Sequence, residues 1–163
     1  MVGTIENREF RRACARFATG ITIATVTAAD GAPHGFTANS FTSVSVEPPI
    51  VLICIDHKAN VITHFNAANA FAINVLEASQ DQLSNRFAER GQDRFEGVEW
   101  SAGGNGAPIL RGAIAHFECT IESRIPAGDH TILLGRVTAA GYTENGEPLV
   151  YFASRYQRLG TRL

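Results

Sequence analysis

Small polar side chains crowd one short segment of this sequence. Residues 35–45 read GFTANSFTSVS and place six hydroxyl or amide residues beside Phe36 and Phe41. Hydroxyl groups and open backbone amides can bind a phosphate or the edge of a heterocycle without a formal charge. The same composition is also typical of a strand with one polar face that runs into a turn. The segment therefore predicts either a neutral ligand-binding wall or an ordinary half-exposed strand.

A second polar segment follows the most apolar run of the chain. Residues 50–55 read IVLICI, which predicts a strand buried on both faces, and residues 54–60 read CIDHKAN. A buried strand that runs straight into polar residues often delivers them to a site. In that interpretation Lys58 meets a phosphate. In the alternative interpretation Lys58 is a solvated charge, and Asp56 and Asn60 cap the next helix.

A third polar feature, Gly128-Asp129-His130, stands before a predicted strand at residues 131–138. Glycine supplies a positive φ and aspartate bonds neighbouring backbone groups, so the triplet is typical of a tight hairpin turn. A turn at the mouth of a barrel would also expose the His130 ring to a ligand. The residues alone favour neither interpretation.

Several classes of protein are disfavoured by what the sequence lacks. It contains no GxGxxG after a strand, no Walker loop, no GxSxG and no HExxH, and residues 103–106 (GGNG) open no helix and predict a surface turn. The five histidines form no ligand pair at helical spacing, so we expect no metal. A net charge of −2, with Lys and Arg scattered, gives no reason to expect nucleic-acid binding.

Membrane insertion and secretion are also not expected. The longest apolar runs fall far short of the roughly 20 residues that a spanning helix needs. Residues 6–12 are rich in charge where a signal segment would be apolar. The three cysteines are far apart with no CxxC, which is typical of free thiols in a reducing compartment. We therefore predict a cytoplasmic protein in which Cys14 and Cys119 are plain core residues.

The elements that must position these segments are mostly strands. The length of 163 residues predicts one domain, residues 1–163. An amphipathic helix is predicted at residues 8–17 and ended by Gly20, and a second helix begins at a Ser79/Gln82 capping box and stops at Gly91. Strands are predicted at residues 21–27, after the Asp30-Gly31 turn, and at 43–46, 50–55, 71–76, 115–121, 131–138 and 149–153. This pattern favours a mainly β, antiparallel, closed or nearly closed barrel with a few short helices.

Five segments together resemble the short-chain flavin reductases, the reductase components of two-component flavin-dependent monooxygenases. They read FATGITIATV, GFTANSFTSVSVEPPIVLICID, RFEGVEW, GDHTILLGRV and PLVYFASRYQRL, and the likeness runs from about residue 10 to residue 159. The resemblance implies an FMN-binding split β-barrel that forms a homodimer. It implies NADH or NADPH as reductant and FMN or FAD as the flavin.

The resemblance also implies roles for individual residues. The isoalloxazine ring would be lined by Thr37, Ala38, Asn39 and Ser40, with Cys54 and Asp56 on the same wall. The ribityl phosphate would be approached by Ser43, Lys58, Ala59 and Asn60. Phe87 would lie near the flavin. On the reductant side, His130 would contact the nicotinamide nucleotide, with Arg155 and Tyr156 near the same pocket.

The function implied is transfer of a hydride from NADH or NADPH to FMN or FAD, with reduced flavin supplied to a partner monooxygenase. Two alternatives stay open. One is a split-barrel protein that binds flavin without turnover. The other is an enzyme of the pyridoxine-phosphate oxidase type, which generally carries more Arg and Lys for a substrate phosphate than these segments do. The choices between FMN and FAD, between NADH and NADPH, and between a tight and an exchanging flavin stay open as well.

Overall fold

The computed structural model describes residues 5–91 and 93–160. The helices are α1 (Asn7–Cys14), α2 (Ile62–Ala67) and α3 (Asp81–Ala88). The strands are β1 (Thr19–Gly20), β2 (Thr22–Thr27), β3 (Pro33–Ala38), β4 (Thr42–Val46), β5 (Pro49–Asp56), β6 (Ala70–Val75), β7 (Trp100–Ala102), β8 (Pro108–Leu110), β9 (Ala115–Ala127), β10 (His130–Tyr142), β11 (Val150–Phe152) and β12 (Arg155–Gln157).

One seven-stranded sheet dominates the structure, with strand order β3-β2-β6-β9-β10-β5-β4 and antiparallel pairing throughout. Its longest pairing is the β9–β10 hairpin, in which Gly128 takes a positive φ of 63°. The small sheets β1-β11-β12 and β7-β8 lie beside it. The large sheet therefore contains no parallel pair of strands.

The large sheet is rolled around one apolar core. Val26 of β2, Phe71 of β6, Cys119 of β9, Leu133 of β10 and Ile53 of β5 belong to one cluster and are each at most 1% exposed. Side chains from strands so widely separated in the sheet can meet only if the sheet curls back on itself. The prediction of a mainly β, antiparallel split barrel with a few short helices is confirmed.

A second core lies outside the rolled sheet, where α3 and the C-terminal strands cover it. Phe87 of α3, Leu76, Leu149 and Phe95 form this cluster. Close approach of α3 depends on Gly35 of β3, because a Cβ there would lie 3.0 Å from the Phe87 ring and 2.8 Å from a β2 carbonyl oxygen. The outer face of β3 is therefore bound to α3.

The N-terminal helix differs from its prediction. It ends at Cys14, and Gly20 lies in β1 and does not terminate the helix. None of its residues is buried, and Phe10 is 57% exposed. The prediction that Cys14 is a core residue is wrong, because its side chain is exposed on this uncovered helix. Cys119 is buried as predicted, and burial raises the pKa of its thiol to about 12.

Two further local predictions fail for physical reasons. β5 alternates between buried and half-buried positions, so only Val51, Ile53 and Ile55 face the core, as expected for an antiparallel strand with one face on the core. The capping box does not form, because the Ser79 hydroxyl and amide both donate to the Glu77 carboxylate before α3 begins at Asp81.

The GGNG segment forms a turn, as predicted, and it also shields a carboxylate. Glu118 of β9 is only 8% exposed, since the turn lies against it. The Asn105 amide donates to Glu118 Oε2 at 2.9 Å, and the Asn105 side chain donates to the Phe71 and Cys119 carbonyl oxygens. These backbone and side-chain contacts give the segment a structural role.

Within residues 5–91 and 93–160, no helix is both long and apolar enough to cross a membrane. The same residues contain no group of three or more His, Cys, Asp or Glu side chains placed to hold a metal ion.

Candidate functional site

The polar segment after β3 is fastened to β5. Phe36 and Phe41 both pack against the barrel core, so the short connection between β3 and β4 is held down at each end. Between them, Ser40 Oγ accepts the Cys54 amide at 2.9 Å and donates to the Cys54 carbonyl oxygen at 3.4 Å. We call this contact the Ser40–Cys54 link. This link joins the β3–β4 connection to β5, although β3 and β5 are not neighbours in the sheet.

The end of β5 lies beside the β9–β10 hairpin. Asp56 pairs directly with His130 in the antiparallel register. The pairing extends past the strand end, where the His57 amide donates to the Asp129 carbonyl oxygen at 3.0 Å and His57 Nε2 lies 3.1 Å from Thr131 Oγ1. The structure therefore brings the predicted flavin wall and the predicted nicotinamide-binding histidine onto adjacent strands.

A tight turn carries the chain from β5 towards α2. Asp56 Oδ1 accepts the Lys58 amide at 2.8 Å, and the Asp56 carbonyl oxygen accepts the Ala59 amide at 2.9 Å. Asp56 thus stabilises this turn, and the alternative prediction that Asp56 and Asn60 cap the next helix is wrong, because the N-cap of α2 is Val61 and receives no side-chain hydrogen bond. Ala59 packs against the core, while Lys58 and Asn60 project from the turn as exposed residues.

The available polar groups fit a flavin. Asn39, Ser43, Lys58 and Asn60 are exposed, and their side chains make no hydrogen bond or ion pair with any other described residue. Three are neutral hydrogen-bonding groups suited to a polar ring edge or a ribityl chain, and one is a cation suited to a phosphate. A wall of neutral donors ending in one lysine matches an uncharged heterocycle with a phosphate at one end.

His130 is oriented by the residue before it. Its Nδ1 lies 2.7 Å from Asp129 Oδ1, and the two side chains are 40% and 86% exposed. The hydrogen bond and charge of His130 lower the pKa of the Asp129 carboxyl. Because a carboxylate can only accept, the Nδ1 atom carries the proton. Nε2 of His130 has no partner among the described residues and remains available to a ligand.

Thr37 and Ala38 offer less side-chain chemistry than the sequence suggests. The Thr37 hydroxyl donates to the Ser84 carbonyl oxygen of α3 at 2.6 Å. Ala38 is 7% exposed, and its carbonyl oxygen accepts the Thr22 hydroxyl at 2.8 Å. The side chains of both residues are therefore committed to the scaffold. Any contact of this strand with a ligand would come from remaining backbone groups and from Asn39.

The C-terminal residues are separated by strand alternation. The Tyr156 hydroxyl lies 2.8 Å from Ser84 Oγ and donates to Asn85 Oδ1 at 3.0 Å, so it braces α3 behind Thr37. Arg155 is the preceding residue of the same strand, and successive strand residues face opposite ways. The two side chains therefore leave opposite faces of β12, and their common contact with a nicotinamide nucleotide stays a prediction.

Phe87 requires a correction. It is 0% exposed and lies edge-on to Phe95 with ring centroids 4.9 Å apart. A fully covered ring offers no surface to a flavin, because its hydrophobic face is already buried in the second core. Leu83, one helical turn before Phe87 on α3, packs against the same core.

Sequence reasoning missed a group of residues close to this wall. His34 of β3 and His64 of α2 stack with ring centroids 3.5 Å apart and an interplanar angle of 9°. Burial, and then the charge of His64, lower the pKa of His34. Arg94 reaches the same region and donates to the Gly35 carbonyl oxygen at 2.7 Å. No spacing rule signals a pair of histidines 30 positions apart, so only the folded chain reveals them.

Comparison with known proteins places the chain in a family. Residues 14–160 match the flavin reductase like domain. The chain is 44% identical over 149 residues to the actinorhodin polyketide dimerase of Streptomyces coelicolor, with 91% of this chain and 84% of that protein covered. It is 37% identical over 152 residues to HsaB of Rhodococcus jostii, the reductase subunit of a flavin-dependent monooxygenase, covering 93% and 77%.

Coverage of the relatives varies. The chain is 44% identical over 156 residues to a probable flavin reductase of Rhizobium meliloti, where it covers 91% of itself but about half, 49%, of that protein. Among solved structures, the NADH:FAD oxidoreductase SgcE6 of Streptomyces globisporus, in complex with NAD and FAD fragments, has a TM-score of 0.90 and 39% identity, with 98% of each chain covered.

The rolled antiparallel sheet is the split barrel of the flavin reductases. The chain belongs to the flavin reductase family, since the family match spans nearly all of it and several relatives exceed 30% identity over most of their length. The family predicted from the five sequence segments is confirmed.

If the Ser40–Cys54 link stabilises the fold, removing the Ser40 hydroxyl should lower both stability and flavin affinity. Ser40→Ala leaves the Cys54 amide without its acceptor, so we expect a loss of roughly 0.5–1.5 kcal/mol in the free energy of unfolding and several-fold weaker flavin binding. Ser43→Ala is the matched control, because Ser43 is exposed and unbonded within the described chain. It should weaken flavin binding without lowering stability. Urea unfolding and flavin fluorescence titration measure both quantities, and equal stability of the two variants would contradict the assigned link.

Proposed function

We propose that this chain is an NAD(P)H:flavin reductase that passes a hydride from NADH or NADPH to FMN or FAD. The observation that carries the proposal is the direct pairing of Asp56 with His130. It sets a group able to receive the nicotinamide nucleotide next to the wall that fits the flavin. Membership of the flavin reductase family supports the same conclusion.

The residues of the proposed flavin wall bind the flavin and orient its ring. A bound flavin would supply N5 as the acceptor of the hydride from C4 of the nicotinamide, a transfer that needs no amino-acid nucleophile. Asn39 and nearby backbone amides donate to the polar ring edge, where donors also stabilise negative charge as it develops. Lys58, Ser43 and Asn60 take the phosphate end. Positioning of this kind explains why the sequence has no catalytic carboxylate pair.

His130 and Asp129 act together on the reductant. In the tautomer whose Nδ1 proton is directed to Asp129, the Nε2 lone pair of His130 is free to accept a hydrogen bond. That atom accepts a hydrogen bond from an amide N–H, the group that a nicotinamide carboxamide offers. Asp129 is then a positioning residue, because it holds the tautomer and ring orientation without touching the ligand.

We also propose that reduced flavin passes to a partner monooxygenase and that the protein works in the cytoplasm. HsaB, the relative named as a monooxygenase reductase subunit, supports the partner. The free thiols of Cys14, Cys54 and Cys119 are those of a reducing compartment.

The activity is tested by oxidation of NADH and NADPH with FMN, FAD or no flavin added. Oxidation of the reduced nucleotide should depend on added flavin. If no combination of nucleotide and flavin is turned over, the protein is a passive flavin binder.

His130→Ala should raise Km for the reduced nucleotide about five- to thirty-fold, the effect of one lost hydrogen bond of 1–2 kcal/mol, with flavin affinity unchanged. His116→Ala is the control, since His116 lies at the far end of β9, against Gly141. Normal Km and kcat in His130→Ala would remove His130 from the site.

We further propose a homodimer formed through the exposed apolar side chains of β4 and the half-covered face of the adjacent strand β5. Val46 of β4 is 92% exposed and Val44 is 49% exposed. On β5, Leu52 is only half-covered. Apolar side chains on an edge strand and a neighbouring sheet face mark an interaction surface, and a second copy of the chain satisfies the whole surface at once.

The dimer is tested by light scattering at micromolar concentration. Wild-type protein should have about twice the 17.6 kDa mass of the chain. Val46→Glu should shift the mass towards the monomer, because a charge cannot be buried there without a partner. Tyr142→Glu is the control: Tyr142 is 77% exposed but lies at the far end of β10. A monomeric wild-type protein would overturn the proposal.

A further inference from the structure

A cavity of about 610 Å³ adjoins the proposed flavin wall and shares Asn60 with it. It opens between the start of β3, the start of α2 and the segment after α3, and we call it the histidine cavity. Its lining includes His34, Asn60, His64, Arg94 and Trp100. The volume lies in the range of small-molecule sites, which is about 300–1,000 Å³. It is large enough for a nucleotide.

The histidine cavity offers aromatic surface. His34 and His64 both line it and stack in parallel, with ring centroids 3.5 Å apart. Trp100, 38% exposed, adds an indole ring. Two imidazoles this close disfavour carrying two charges, and burial lowers the pKa of His34 further. The stacked imidazole rings and the indole ring give the cavity flat aromatic surfaces, which suit stacking with a heterocycle.

The cavity also has a cation, Arg94, that is held by backbone carbonyl oxygens. Arg94 is half-buried, and its guanidinium donates to the carbonyl oxygens of Gly35, at 2.7 Å, and Glu89, at 3.0 and 2.5 Å. It forms no salt bridge with a carboxylate of residues 5–91 or 93–160. Carbonyl dipoles orient a guanidinium but do not neutralise it. The fixed charge is suited to a phosphate.

Two carboxylates lie on the same lining and must be considered with that cation. Asp93 Oδ1 accepts the Phe95 amide at 2.9 Å, so one of its oxygens is committed to the turn. Glu96 is exposed at the rim, where water screens its charge. Arg94 is the more buried of the charged groups, so its field is the least screened inside the cavity.

Asn60 joins the cavity to the flavin wall. It projects from the same turn as Lys58, the proposed phosphate-binding cation, and it also lines the cavity. A ligand that extends beyond the first phosphate past Asn60 would enter the cavity, with Arg94 for a second phosphate and the aromatic rings for a base. FMN ends at the first phosphate, whereas FAD continues into an adenosine 5′-phosphate group.

We propose that the histidine cavity binds the adenosine 5′-phosphate half of FAD and makes this chain prefer FAD to FMN. The proposal rests on the proposed flavin reductase function and adds a specificity site to it. An adenosine phosphate also occurs in NADH and NADPH. The position of Asn60, next to the flavin phosphate end and not beside His130, favours FAD as its source.

The test is direct binding of FAD, FMN and riboflavin, measured by flavin fluorescence titration. Wild-type protein should bind FAD about tenfold or more tightly than FMN. His64→Ala and Arg94→Gln should each weaken FAD binding about five- to tenfold and leave FMN and riboflavin unchanged. Arg111→Gln is the control for Arg94→Gln, because Arg111 is exposed, pairs with Glu99 and lies outside the cavity. It should bind all three flavins normally.

Other outcomes overturn the proposal in recognisable ways. Equal wild-type affinity for FAD and FMN removes the adenosine subsite, and this comparison needs no variant to fold. Equal losses for all three flavins, with a lowered melting temperature, assign the residues to structure. A raised Km for NADH with unchanged FAD affinity assigns the cavity to the reductant. Failure to bind or reduce any flavin would instead refute the proposed function itself.

Discussion

The candidate site depends on β5 having structured neighbours on both sides. One neighbour is β10, which sets His130 opposite Asp56. The other is the connection between β3 and β4, which Ser40 fastens to the Cys54 amide. Because backbone hydrogen bonds fix the register of a strand, neither contact can slip without exposing the core face of Val51, Ile53 and Ile55. Core packing thereby holds the ligand wall in place.

The structure separates residues that brace the site from residues that remain free for ligands. Thr37, Ser40 and Tyr156 use their hydroxyls within the protein, and Asp56 caps a turn. Asn39, Ser43, Lys58, Asn60 and Nε2 of His130 have no partner in the described chain. Hydrogen bonds made within the protein need no reorganisation when a ligand arrives. A site in which internal hydrogen bonds fix some side chains and leave a few polar groups free is therefore suited to holding the flavin and nicotinamide rings against each other.

Charge is used sparingly around the wall. Lys58 is exposed, and its charge is solvated until a phosphate binds. Arg94 is held half-buried by carbonyl oxygens, and burial lowers its pKa. The stacked His34 and His64 rings add aromatic surface, and burial lowers the pKa of His34. A site built mainly from neutral groups can accept an uncharged ring, while the isolated cations mark where phosphates would lie.

The sequence by itself determined the antiparallel β class, the glycine turn before His130, the polar segments after β3 and β5, and the family. These features are local, since alternation, turn residues and motif order are read from neighbouring positions. It did not determine that the Phe87 ring is covered, that Arg155 and Tyr156 diverge, or that His34 stacks on His64. Those outcomes depend on how the rolled sheet brings distant segments together. Periodicity tells which side of a strand a residue occupies, but only tertiary packing decides what it meets there.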